Sequence, residues 1–286
     1  MNYDKYPETK IIGFDDDVFE NQQQIKEKIM TYKSYEDFCL TVECYPGVDD
    51  EILDLIQDVY EPRFVIRSED IFYDKDKLNE MMASHLTDDR VRGVMYYGKM
   101  EDFVDDKKLE AMKEVAKSHG RILIYGVGAS LISRGDIYIY CDLARWEIQC
   151  RYRKGMPNFK QDNNDEDSLR KIKRGFFIEW RIADKQKMKM FDDIDYLLDS
   201  NIKNQPKMIT GEALREGLKQ IAKQPFRLVP YFDPGVWGGQ WMKEVCGLDS
   251  KQDNYAWSFD GVPEENSLYL RYGQTRIEIP AMDLVL

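Results

Sequence analysis

The sequence predicts an α/β protein: a mostly parallel sheet with flanking helices over residues 1–205, then a linker helix and a short β-rich segment over residues 206–286. Two observations carry this. Up to about residue 205, short β-branched and apolar runs alternate with segments of helical period, the pattern of βαβ units with right-handed crossovers. Beyond it, after one amphipathic helix, Gly, Pro, aromatic residues and brief apolar/polar alternations suggest antiparallel strands.

In order, a short segment TKIIGFD precedes a polar helical stretch, FENQQQIKEKIMTYKSY, and FCLTVEC at 38–44 reads as a buried strand. The loop YPGVDD leads to EILDLIQDVYE, with apolar residues at helical spacing, and RFVIRS is the next short apolar run. EDIFYDKDKLNEMMASHL passes from loop to helix, RVRGVMYYG is a further strand candidate, and LEAMKEVAKSHG is a helix stopped by Gly120. RILIYGVGAS is a strand entering a Gly-rich turn, and DIYIYCD is a strand followed by the helix LARWEIQCRYRKG. NIKNQPK reads as a polar linker, and ITGEALREGLKQIAKQ as a helix with Thr210 at its N-cap. In a parallel sheet ligands bind beyond the carboxyl ends of the strands, which places YPGVDD, RSEDIFYD and YGVGAS on one rim.

Composition excludes several classes of function. The chain of 286 residues is 43% hydrophobic, enough for a sizeable core, and 41 Lys+Arg against 53 Asp+Glu leave a net charge of -12. Such acidity gives no general attraction to nucleic acid or anionic membrane. Mean hydropathy is -0.60, no apolar run spans a bilayer and the start is not a signal peptide, so the expected location is cytoplasmic. Cys39, Cys44, Cys141, Cys150 and Cys246 form no CxxC pair, and only two histidines, His85 and His119, occur; neither a disulfide framework nor a multi-histidine metal site is expected.

The loop after the first strand occupies the place of a phosphate-binding P-loop, but Tyr45-Pro46-Gly47-Val48-Asp49-Asp50 has one Gly and no Lys, Ser or Thr, and Asp49 and Asp50 repel a polyanion. Gly126-Val127-Gly128-Ala129-Ser130 lacks the third glycine of a dinucleotide fingerprint and reads as a tight turn. Arg145, Arg151, Arg153 and Lys154 make a basic helix end, either a solvated one or a clamp for phosphate oxygens. The order of segments over residues 36–200 resembles the uridine-kinase-like branch of the P-loop kinases, with RSEDIFYD, ILIYGVGA and DIYIYCDLARWEIQCRYRKG in the places of that family's acidic segment, Gly-turn strand and Arg-rich lid helix. The resemblance implies that Glu69 and Asp70 match its catalytic or substrate-binding acid and Arg145, Arg151 and Arg153 its phosphate-facing arginines. With the P-loop degenerate, phosphoryl transfer lacks its magnesium and phosphate cradle.

In the last segment, LVPYFDPGVWGGQWMKE and YAWSFDG resemble the opening of the class I mannose-6-phosphate isomerases, metal-dependent cupins. Trp237, Gly238, Gly239, Lys243, Glu244 and Trp257 match that pattern, while Tyr255 stands where the family has Glu. Read alone these residues are packing residues. The resemblance implies sugar-phosphate isomerisation, with zinc bound through a Gln-x-His pair, a Glu and a distant His on later barrel strands. The chain is expected to lack that metal site and a cofactor of its own, to be inactive alone, and to call for a barrel-bearing chain or a further C-terminal domain, since 81 residues are too few for the barrel. Its ligand would be a sugar phosphate. The alternatives are a nucleoside or sugar kinase, or a non-catalytic sugar-phosphate-sensing or interaction module.

Overall fold

The computed structural model describes residues 8–224, 240–251 and 267–281. In chain order the elements are β1 (Thr9–Ile11), β2 (Val18–Phe19), α1 (Gln22–Met30), β3 (Phe38–Cys44), α2 (Glu51–Tyr60), β4 (Phe64–Arg67), α3 (Lys75–Leu86), α4 (Asp106–Val115), β5 (Arg121–Gly126) and α5 (Ala129–Ile132). There follow β6 (Ile137–Asp142), α6 (Arg145–Arg153), α7 (Ser168–Arg174), α8 (Trp180–Met190), β7 (Tyr196–Asp199), β8 (Lys207–Thr210), α9 (Gly211–Ile221), α10 (Gln240–Val245), β9 (Ser267–Tyr272) and β10 (Thr275–Pro280). A seven-stranded sheet has the order β2-β8-β7-β6-β3-β5-β4, and a three-stranded one the order β1-β9-β10. The fold is thus mixed α/β, with the five strands β7-β6-β3-β5-β4 all parallel and helices on both faces.

Burial on both faces explains why these strands read as unbroken apolar runs. Leu123 and Tyr125 of β5 join Leu40 and Val42 of β3 against Ile25 and Ile29 of α1 and Ile52 and Ile56 of α2. Ile122 and Ile124 belong to the opposite core, with Tyr138 and Tyr140 of β6 and side chains of α6, α8 and α9. The chain leaves β3 toward β4 on one side and leaves β6 toward β7 on the other. Neighbouring strands whose connections diverge open a crevice at their carboxyl ends. That crevice, between β3 and β6, is where the loop 45–50 lies.

Three expectations are corrected. Residues 91–98 form no strand: Val94 N–H bonds the His85 carbonyl and Tyr96 N–H the Phe177 carbonyl, so this backbone is satisfied by helix ends rather than by a sheet edge. α4 ends at Val115, short of Gly120, whose φ of +108° serves the turn into β5. Residues 207–221 do not begin a second unit, because β8 pairs antiparallel with β7 and α9 packs beneath the same sheet. The Thr210 cap is present, its Oγ1 accepting from Ala213 N–H at 3.1 Å.

β9 and β10 form the expected antiparallel hairpin, and β1 adds parallel to β9. Leu270, Tyr272, Ile277 and Ile279 join Ile11, Ala213, Leu214 and Ile221 in one core, and Tyr272 Oη donates to the Ala213 carbonyl at 2.8 Å. Gly217 is required there, since a Cβ would overlap Tyr272 Oη. The hairpin therefore rests on the α/β sheet, which limits its open edges. Among the described residues no helix is long and apolar enough to cross a membrane.

Candidate functional site

The loop at the crevice is closed by its own contacts. Tyr45 N–H bonds the Cys141 carbonyl at 2.9 Å and Val48 N–H the Tyr45 carbonyl at 3.2 Å, so these amides are spent within the protein. Asp49 pairs with Arg151 at 3.5 Å and Lys203 at 3.3 Å, and Asp50 with Arg67 at 3.0 Å. Pro46 and Gly47 complete the turn, and Val48 packs against the core.

The candidate phosphate-facing arginines do not form a free clamp. Arg145 pairs with Asp184 at 2.6 Å, with both side chains only 2% exposed; its Nε donates to Tyr45 Oη at 3.3 Å and the guanidinium lies over the Trp180 ring. Arg151 donates to Glu147, to the Gly47 carbonyl and to the Ser200 carbonyl at 3.0, 3.0 and 3.1 Å. Arg153 is exposed and stacks on Trp146. The helix is thus neither simply solvated nor open to phosphate: Arg145 at its start and Arg151 in its last turn are buried in internal pairs.

Of the Gly126–Ser130 run, Val127 and Gly128 form the expected turn, between β5 and the short helix α5, and the amides of Gly128 and Ser130 converge on Glu43. Gly128 N–H donates to Glu43 Oε1 at 2.6 Å, and Ser130 N–H and Oγ donate to Oε2 at 2.8 and 2.7 Å. This is a nest of backbone N–H groups of the kind that holds an anion, with a carboxylate from β3 already in it. Burial pushes the Glu43 carboxyl up to about 7, against the three donors, which hold it down. Glu43 escapes a sequence reading because it sits inside an apolar strand; a lone acid in such a run is the signal that could have found it.

Of the two candidate acids, Asp70 is exposed and Glu69 is largely buried at the rim. Glu69 Oε2 is 3.5 Å from Arg67 Nε but makes no hydrogen bond, and burial raises its carboxyl. Asp142, at the end of β6, is fully buried with Lys187; burial raises it and the ammonium opposes this. Three acids thus lie at these strand ends, Glu43 and Asp142 buried and Glu69 partly so, with Asp142 paired to Lys187. Phe72 and Phe159, in edge contact at 5.0 Å, help to fill the space above, leaving a cavity of only about 10 Å³ against Pro46 and Val127.

A pH dependence follows. Burial, and for Glu278 also the nearby Asp199, pushes Glu43 and Glu278 to about 7, well above the 4.5 of an ordinary Glu. Between those values the folded chain holds protons that the unfolded chain releases, so their contribution is complete below about 4.5 and lost as pH rises through 7. Each group adds a slope of up to about 1.4 kcal/mol per pH unit. Thermal melts should fall from pH 5.5 to pH 8, and Glu278→Gln should flatten the slope; a rising or unchanged profile would contradict these assignments.

Trp237, Gly238, Gly239 and Trp257 lie outside the described residues. Lys243 and Glu244 are on α10, Lys243 buried and Glu244 exposed. Among the described residues no group of three His, Cys, Asp or Glu side chains that could hold a metal ion occurs. His85 Nδ1 meets the Val94 carbonyl and His119 Nδ1 meets Asp37.

A family model for a domain of unknown function, DUF8485, matches residues 21–223, from the cap of α1 through the end of α9. No curated protein matches the sequence. Among solved structures, shikimate kinase from Bacteroides thetaiotaomicron is similar at 12% identity and a TM-score of 0.35, over 65% of this chain and 98% of that one.

Proposed function

The chain belongs to the DUF8485 family, and we propose that it is a non-catalytic, sugar-phosphate-sensing module on a kinase-like α/β scaffold, without phosphoryl transfer of its own. The observation that carries this is the Glu43 carboxylate seated on Gly128 N–H and Ser130 N–H. A transferring phosphate needs unspent amides, a Lys and a magnesium ligand. Here the turn amides are engaged by a carboxylate, the loop 45–50 supplies two more, and Arg145 and Arg151 neutralise protein acids instead. A phosphate entering the seat would have to displace Glu43 and leave it without its three donors.

ADP release from magnesium–ATP, measured with mannose 6-phosphate or fructose 6-phosphate as acceptor, is expected to stay at the rate of buffer alone. Turnover proportional to protein concentration would overturn the proposal.

A further inference from the structure

Away from the crevice, a polar cavity of about 270 Å³ lies between α3, the segment 158–167 and α7. Its wall includes Asn79, Gln161, Asn163, Arg170, Lys173 and Arg174. Residues 170, 173 and 174 share one helix face by their three- and four-residue spacing, and Asp167 caps the helix by accepting from Leu169 N–H at 3.2 Å. A chain of net charge -12 thus gathers three cations around one cavity, with Glu166 as the one carboxylate in its lining. That carboxylate is already held by Asn163 Nδ2 at 2.6 Å.

Two of the cations are buried, Arg174 paired with Glu179 and Lys173 bonded to backbone carbonyls. Lys173 is 4% exposed, and its ammonium donates to the Thr87 and Asp89 carbonyls rather than to a carboxylate. Arg174 is 6% exposed; its Nε donates to Glu179 at 2.7 Å and its Nη1 to Asn79 Oδ1 at 2.9 Å, while Nη2 is buried with no hydrogen-bond partner. A buried donor left unpaired is destabilising. Arg170, Lys173 and Arg174 all contribute to the cavity lining, and arginine forks match phosphate oxygens.

Deepening the proposed sensing role, and resting on it, we infer that this cavity is the binding site for a small phosphorylated sugar or polyol. Its phosphate would sit between Arg170 at the mouth and the buried Lys173–Arg174 pair, its hydroxyls against the Asn and Gln amides. The volume is just below the roughly 300–1,000 Å³ of drug-sized sites, and the lining carries no aromatic side chain on which a base could stack. A sugar monophosphate suits it better than a nucleotide.

Calorimetric titration of the full chain with mannose 6-phosphate, inorganic phosphate and mannose tests this. The sugar phosphate is expected to bind saturably and raise the melting temperature, phosphate to bind more weakly, and mannose not to bind. Arg170→Glu, at an exposed position, should leave the unliganded melt unchanged and weaken sugar-phosphate binding roughly tenfold or more. Absence of saturable binding to the wild type, equal binding by the variant, or equal affinity for phosphate and ester would overturn the assignment. ADP release bears on the absence of phosphoryl transfer alone, so the two failures are distinguishable.

Discussion

Asp184→Ala should lower the unfolding free energy by about 3–5 kcal/mol in urea denaturation, the usual effect of removing one partner from a buried ion pair. Arg145 and Asp184 are 2.6 Å apart with side chains 2% exposed. Without the carboxylate, the guanidinium, buried between Tyr45 and the Trp180 ring, loses its charge partner at 2.6 Å. The double variant Arg145→Met/Asp184→Leu should be more stable than Asp184→Ala, because apolar replacement removes both desolvation penalties together. A single variant within about 1 kcal/mol of wild type would mean that the pair is solvated.

Gly126→Ala is expected to destabilise by about 3 kcal/mol or more. Residue 126 has φ of +122°, where an L side chain is strained by about 1–3 kcal/mol. The added Cβ would also stand 2.6 Å from both Ser68 Oγ and Glu69 Oε1. Ser68 cannot yield freely, since its hydroxyl bridges the Tyr125 and Val127 carbonyls at 3.1 and 2.9 Å. Because the same turn aims the Gly128 and Ser130 amides at Glu43, the variant should also loosen that seat, seen as faster exchange of those two amides. A stable variant with unchanged protection would show that the turn is not held as described.

The parallel sheet was legible because FCLTVEC, RILIYG and DIYIYCD are covered on both faces and show it as continuous apolar runs. RVRGVMYYG has the same β-branched and aromatic content, but its amides bond the His85 and Phe177 carbonyls instead of a strand, and pairing is not a property of the segment alone. NIKNQPK looked like a linker because its residues are polar; it spans the antiparallel return from β7 to β8, which takes only a short connection. The arginines of α6 were visible as residue types, but their meaning depended on Asp184, thirty-nine positions away, and on the acids of the loop 45–50. For the same reason nothing local in SLRKIKRG reports that Lys171, Lys173 and Arg174 are buried.

The central claim is that the anion seat of this scaffold is filled by the protein itself. A crystal structure determined with magnesium–ATP present tests it most directly. It should show the Glu43 carboxylate within hydrogen-bond distance of Gly128 N–H and Ser130 N–H, with no phosphate against residues 45–50. Triphosphate density on those amides, with Glu43 turned away, would contradict it.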